Sequence, residues 1–379
     1  NKSLNAIPNK SSNFAKIQDL EKKCSQSNQY SSKVQCWEDL IDSTLKGEGI
    51  EKTFDILEYL YKNEPAFASS CHDYSHKIGE TAYKLFSTSF KDKALSSKSF
   101  YCGFGYYHGF METMLHTTGT LDQAREFCKF AGEKLANKNN DAEGTCYHGI
   151  GHGVVDGSDP RAEGNAEDVI SPGLELCKKV APTETLLNRC SSGVFNSLAI
   201  MFNSGQHKLS VNKSDPMWVC QKQTNPIFKL TCYQEMNTVL LPLENGNFEK
   251  AVLWIKKIPE EENAISAMDS LGQHAASYRK VDSEHSEYIQ ICQQWSDKFR
   301  SACIGGFSVG IILHGTPGSE YVEALQFCNS DLFSTTDHEA CMNRLMWGLY
   351  ISYPLEKFRE ICHTLPEEDK KYCSQLQIF

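Results

Sequence analysis

No two of the chain's 16 cysteines stand in a C-x-x-C arrangement. That absence disfavours structural zinc ribbons and thioredoxin-like dithiol chemistry, and the absence of C-x-x-C-H removes covalent haem attachment. No apolar run approaches the roughly 20 residues that a bilayer-spanning helix needs. No block of basic residues occurs, and 48 acidic against 38 basic side chains leave a net charge of -10. Nucleic acid and anionic membrane surfaces are therefore poor candidates for the main partner. Phosphate loops, the dinucleotide fingerprint and H-E-x-x-H are missing as well. The sequence starts at Asn1 with neither an initiator Met nor a signal-peptide h-region, which reads as a processed or trimmed N-terminus.

What is present is enough apolar residue, 40% of 379, for a large core or two to three ordinary domains. The cysteines are too many for an ordinary cytosolic enzyme and fall in neighbouring pairs: 24/36, 128/146, 177/190, 220/232, 292/303, 328/341 and 362/373. An even count at such spacings predicts disulfides and an oxidising compartment: extracellular, cell-surface or periplasmic. Cys71 and Cys102 remain, either as an eighth disulfide or as thiolate ligands beside the histidines that flank them. Sequons at Asn1, Asn9 and Asn212 are compatible with export.

Residues 1–14, rich in Asn, Ser and Lys, read as a flexible leader outside the fold. Beyond them the apolar residues keep helical spacing. Phe54, Leu57, Leu60 and Tyr61 form one stripe, and Ala251, Val252, Ile255 and Ile258 another. Strand-like alternation is scarce, so the expected class is all-α. The first cysteine of a pair tends to end a helix (Cys128, Cys177, Cys328). The second tends to open the next, with glycine close behind: Cys146-Tyr-His-Gly, Cys190-Ser-Ser-Gly, Cys303-Ile-Gly-Gly. This cysteine and glycine rhythm over residues 24–373 resembles the disulfide-bridged Sel1-like repeat proteins, a branch of the tetratricopeptide-type solenoids. The resemblance implies an architecture, helical hairpins each stapled to its successor, and no particular function.

The cysteines also repeat on a larger scale, since 24, 36, 102, 128, 146, 177 and 190 run in the same order as 220, 232, 303, 328, 341, 362 and 373. Residues 47–54 (GEGIEKTF) face 244–251 (ENGNFEKA), and Ile78-Gly79 face Leu271-Gly272. An internal duplication follows, with residues 15–200 as the first half and 201–379 as the second.

Three rows of metal-ligand residue types occur at the i, i+4 interval that stacks side chains along one helix face. They are His72, His76 and Glu80; His108, Glu112 and His116; and His148, His152 and Asp156. Their counterparts in the second half carry no histidine: Ile265, Asp269 and Gln273; Val309, Leu313 and Pro317; Asn343, Trp347 and Ile351. A scaffold alone has no need of the histidines, so the rows predict a His/carboxylate site in the first half for a divalent transition metal: zinc, copper or iron. Tyr74, Tyr106, Tyr107 and Tyr147 could line such a pocket. A single row is more simply an amphipathic helix with hydrogen-bonded histidines; three rows missing from the other half favour metal. The functional expectation divides in two. One branch is an exported metal-dependent hydrolase or oxidoreductase. The other is a non-catalytic extracellular scaffold that offers the solenoid surface to a protein partner.

Overall fold

The computed structural model describes residue 24 and residues 29–86, 91–117, 119–136, 141–155, 162–278 and 285–376. The expected leader at 1–14 and the candidate ligand Asp156 lie outside the described residues. Among those residues there is no strand, as the apolar spacing predicts. The helices that position the site are α1 (Tyr30–Glu48), α2 (Ile50–Asn63), α3 (Cys71–Phe86), α4 (Gly105–His116), α5 (Leu121–Leu135), α6 (Ala142–Gly153), α7 (Ala166–Val180), α8 (Glu184–Ser204), α9 (Pro226–Glu235), α10 (Glu261–Ala275), α11 (Asp297–His314), α12 (Glu320–Cys328) and α13 (Thr335–Ser352).

Helices α3, α4, α6, α8, α9, α10, α11 and α13 form one row in which each packs on the next. The others cover the row from behind: α5 lies on α4 and α6, α7 on α6 and α8, and α12 on α11 and α13. Local sequence sets the bounds. Thr183 accepts a hydrogen bond from the Leu186 amide at the start of α8, and Gly205, with φ of 70°, ends it in the left-handed conformation that glycine adopts without penalty. Glycine also brings the row together. A Cβ on Gly109 of α4 would lie 2.0 Å from the His76 carbonyl oxygen of α3, and one on Gly193 of α8 would lie 2.0 Å from the His148 carbonyl oxygen of α6. No other residue permits backbones this close.

All sixteen cysteines are bonded, in the seven neighbouring pairs read from the sequence and in Cys71–Cys102. The thiolate-ligand alternative for Cys71 and Cys102 is therefore not realised. The helix bounds differ from those expected. Cys146, Cys190 and Cys303 do not open their helices, because α6, α8 and α11 begin at Ala142, Glu184 and Asp297; the polar residues ahead of each cysteine add a turn or more. Likewise α5 continues past Cys128 to Leu135. Cys328 does end α12, as the sequence reading has it, and Cys71 opens α3, whereas Cys128, Cys146, Cys190 and Cys303 lie within helix bodies.

The row bends until its two ends touch. Tyr61 of α2 donates to the His314 carbonyl at the end of α11 at 3.0 Å. The rings of Phe100 and Tyr353 lie 5.2 Å apart, just before α4 and just after α13. Between that contact and α4, Cys102, Gly103 and Phe104 all have positive φ (57°, 69° and 64°). For Cys102 and Phe104 this conformation is costly, about 1–2 kcal/mol each, and it aims the Cys102 carbonyl at the first histidine of α3.

Candidate metal centre

Helices α3, α4 and α6 bring five of the six histidines in the three rows to one place. The stacked rings of His108 and His152 have centroids 4.1 Å apart; His148 lies 5.0 Å from His108 and 5.1 Å from His152. The ring of His72 is 5.2 Å from His108, and that of His76 is 6.3 Å away. One nitrogen from each of His108, His148 and His152 lies within 4.8 Å of the other two. Three nitrogens bound to one ion at 2.0–2.1 Å in tetrahedral geometry lie about 3.4 Å apart, so the rings must turn and draw together by up to about 1.4 Å to share one ion.

The hydrogen bonds decide which nitrogens are free to ligate. His72 Nδ1 lies 2.9 Å from the Cys102 carbonyl oxygen. A carbonyl only accepts, so Nδ1 carries the hydrogen and Nε2 keeps its lone pair. His152 Nδ1 sits 3.3 Å from Glu112 Oε1 and 3.0 Å from Ser197 Oγ. The carboxylate makes Nδ1 the donor and leaves Nε2, which is buried and has no partner. His148 Nδ1 lies 3.0 Å from Ser192 Oγ, whose hydroxyl donates to Glu235 Oε1. With its hydrogen committed there, the serine oxygen accepts from His148 and again leaves Nε2 as the lone-pair atom. His108 Nδ1 is buried without a partner. Such unpartnered buried polar atoms are uncommon in folded proteins, and two of them belong to the stacked rings of His108 and His152.

Protonation agrees with this assignment. Burial, followed by the neighbouring imidazoles, pushes His108 and His148 well below the ordinary histidine range; His72 is exposed on its side of the cluster. His108 and His148 are held neutral, the form that binds metal. His76 goes the other way. Burial opposes its charge, but the hydrogen bond and charge of Glu112, helped by Glu80, outweigh burial and raise it. Its Nε2 lies 3.1 Å from Glu112 Oε2 and its Nδ1 3.6 Å from Glu80 Oε1. Burial by itself would raise Glu112, yet the bonds from His152 and His76 hold it well below the usual carboxylate range.

The candidate residues therefore separate by surroundings. His108, His148 and His152 converge, with His72 beside them on the solvent side. Glu112 bridges His152 and His76, and Glu80 faces His76 and Lys77. His116 is exposed on the last turn of α4, and among the described residues no hydrogen bond or ion pair ties it to the cluster. The tyrosines do not line the site. Tyr74, Tyr106, Tyr107 and Tyr147 are buried in the core, where their large apolar rings fill space between helices; Tyr106 gives its hydroxyl to the Ala94 carbonyl.

Sequence reasoning missed Ser192, Ser197, Asn196 and Glu235. Asn196 donates to Glu235 Oε2 at 2.9 Å, and Glu235 ends α9, so support for the site reaches beyond residue 200. No spacing rule reveals these residues; the signal is the tight α6–α8 crossing, which starts at Gly193. A different pattern proves empty. Gly306-Phe307-Ser308-Val309-Gly310 spells G-x-S-x-G, yet Ser308 is buried mid-helix in α11 and donates to the Gly305 carbonyl at 2.7 Å. A nucleophile elbow requires an exposed serine on a strand-to-helix turn.

The second half shows what replaces imidazoles in comparable packing. Gly272 of α10 approaches Cys303 and Phe307 as Gly79 of α3 approaches Tyr106 and Phe110. A Cβ on Gly306 of α11 would lie 2.0 Å from the Asp269 carbonyl oxygen, as one on Gly109 of α4 would from that of His76, so in packing Asp269 stands where His76 does, the pairing the sequence suggests. A guanidinium fills the space: Arg344 of α13 forks onto Asp269 with two bonds of 2.8 Å and lies 4.2 Å from the Trp347 ring centre. Where that region carries its own cation, the helices α3, α4 and α6 carry a cluster of imidazoles. No family model, no curated protein and no solved structure matches the chain, and geometry carries the functional reading.

Proposed function

We propose that the chain is an exported metalloprotein, a curled solenoid of two copied halves, that holds one divalent transition ion through His108, His148 and His152. The single observation behind this reading is the gathering of three imidazoles, His108, His148 and His152, with one nitrogen of each within 4.8 Å of the others, while buried His152 Nε2 and His108 Nδ1 have no hydrogen-bond partner and His148 Nδ1 is committed to Ser192. Eight disulfides fit an oxidising compartment, and no described helix is long and apolar enough to cross a membrane.

Three protein ligands with a solvent-reaching side leave a coordination position for water or substrate, the pattern of catalytic rather than structural sites. Glu112 and Glu235 orient the ligating rings from behind, as carboxylates commonly do for metal-bound histidines. Zinc in this set would activate water for hydrolysis; copper or iron would make the site oxidative. His72 stands at the open side, as a fourth ligand or as a base beside the bound water.

The test is elemental analysis of protein purified without added metal, followed by titration of the stripped protein with Zn(II), Cu(II) and Fe(II). One ion per chain is expected, with His108→Ala and His152→Ala each abolishing tight binding while helical content stays near wild type. Stoichiometric absence of all three ions and no binding on titration would reject the metal reading in favour of an interaction scaffold.

A further inference from the structure

Of the three sequons in the sequence, Asn212-Lys213-Ser214 is the one that lies among the described residues, and the metal centre does not absorb it. We infer that Asn212 is a built N-glycosylation site, a modification that rests on the exported character of the chain. Asn212, Lys213 and Ser214 are all exposed, on the stretch between Leu209 and Met217 that lies outside any α-helix. An acceptor asparagine needs that placement, because an attached oligosaccharide must project into solvent from a segment with no regular backbone ladder to break.

The local geometry adds to the exposure. The Asn212 side-chain oxygen accepts from the Ser214 amide at 3.0 Å and from the Ser214 hydroxyl at 2.7 Å, and the Asp215 amide donates to the Asn212 carbonyl at 3.2 Å. This is an Asx turn closed by the sequon's own serine. Two donors on Oδ1 draw electron density from the amide nitrogen, which makes an Nδ2 hydrogen easier to remove. Both donors belong to the residue the motif requires, so the turn and the motif are one device. Asn225, by contrast, spends its side-chain oxygen capping α9 through the Ile227 and Phe228 amides, and Pro226 follows it in place of a sequon.

The transfer balances as follows. Asn212 Nδ2 attacks C1 of a lipid-pyrophosphate-linked oligosaccharide. The C1–oxygen bond breaks, the lipid pyrophosphate leaves with the bonding pair, and the Nδ2 proton goes to the transferase base. No oxidant or reductant is involved.

The experiment expresses the full chain behind a secretion signal in eukaryotic secretory cells. It counts free thiols and maps glycan by peptide-N-glycosidase release in heavy-oxygen water, which marks each occupied Asn as a labelled Asp. Expected are a secreted chain without free thiols, the label at Asn212, loss of one glycan's mass in Asn212→Gln and in Ser214→Ala, and retention in Ser214→Thr. The thermal midpoint of Asn212→Gln should match that of the enzymatically deglycosylated wild type, which shows that the variant folds. A secreted, fully oxidised chain with Asn212 unlabelled overturns the glycan and leaves the exported reading intact. A chain retained in the cell with many free thiols overturns both.

Discussion

The closest backbone approach in the α6–α8 pair gives the sharpest prediction. A methyl on Gly193 would sit 2.0 Å from the His148 carbonyl oxygen and 2.9 Å from the Gly151 Cα. Both neighbours are backbone, so neither can rotate aside. An ordinary carbon–oxygen contact is about 3.3–3.6 Å, and the helices must therefore part by more than an ångström. Alanine raises intrinsic helix stability by about 1 kcal/mol over glycine, while forced repacking costs about 1–3 kcal/mol and sometimes more. The repacking prevails, and Gly193→Ala should lose up to about 2 kcal/mol in urea unfolding. Gly47, on the last turns of α1 with nothing within 4 Å of its Cβ position, is the control, and Gly47→Ala should be neutral or stabilising. The parting also moves Ser192 away from His148 Nδ1, now 3.0 Å distant. Loss of such an orienting partner typically costs roughly 10–100-fold in metal affinity. Chelator competition for zinc should show a drop of that order in Gly193→Ala and none in Gly47→Ala. A Gly193→Ala protein with wild-type stability and affinity would refute both the packing and its link to the site.

Three further outcomes follow from other parts of the molecule. Glu235→Gln keeps the shape but weakens the carboxylate behind Ser192 and His148; zinc affinity should fall by roughly 10-fold with little change in unfolding, and an unchanged affinity would remove Glu235 from the site. Burial raises Glu320, beside Tyr353, from its ordinary 4.5 to about 7. A raised carboxyl stabilises the fold fully below about pH 4.5 and loses that contribution as pH rises through 7. Wild type should therefore lose roughly 3 kcal/mol relative to Glu320→Gln between pH 4.5 and 8, and parallel pH–stability curves would count against it. The disulfides close separations of 11 to 31 residues, each contributing about 3 kcal/mol in the chain-entropy model. Reduction at neutral pH should unfold the chain cooperatively, and a reduced chain with native circular dichroism would contradict that.

Much of this structure was legible because its constraints are local. Disulfides between sequence neighbours show in the spacing, and all-α character shows in stripes such as Phe54, Leu57 and Leu60. The histidine rows were legible as rows, since an i, i+4 interval on a helix fixes a common face before any tertiary contact is known. What each row member does was not legible. His76 and His72 share a face of α3, yet one lies between two carboxylates and the other keeps a free nitrogen; the difference is made by Glu112 on α4 and by the Cys102 carbonyl. His116 continues its row onto an exposed turn because α4 ends there. Ser192, Ser197 and Glu235 enter through the spacing between helices, a property of glycine contacts that no one-dimensional pattern records. The tyrosines were misassigned for a related reason, because an aromatic ring next to a ligand in sequence turns onto the other side of the helix.

The pattern of bridges bears on how the molecule assembles. Each cysteine bonds its neighbour in sequence, and no bridge encloses or crosses another. A chain emerging N-terminus first into an oxidising space meets the correct partner of every cysteine before any later thiol competes for it. Oxidation can thus proceed as a series of short closures, each fixing two helices before the next pair arrives, with little call for reshuffling by an isomerase. Among the described residues, exceptions to this vectorial order include the contacts of Tyr61 with His314 and of Phe100 with Tyr353, which wait until the last third of the chain is out. Until then α3 and α4 stand with one flank bare, and the interval between the Cys71–Cys102 closure and the arrival of Tyr353 is when a holding chaperone has most to protect.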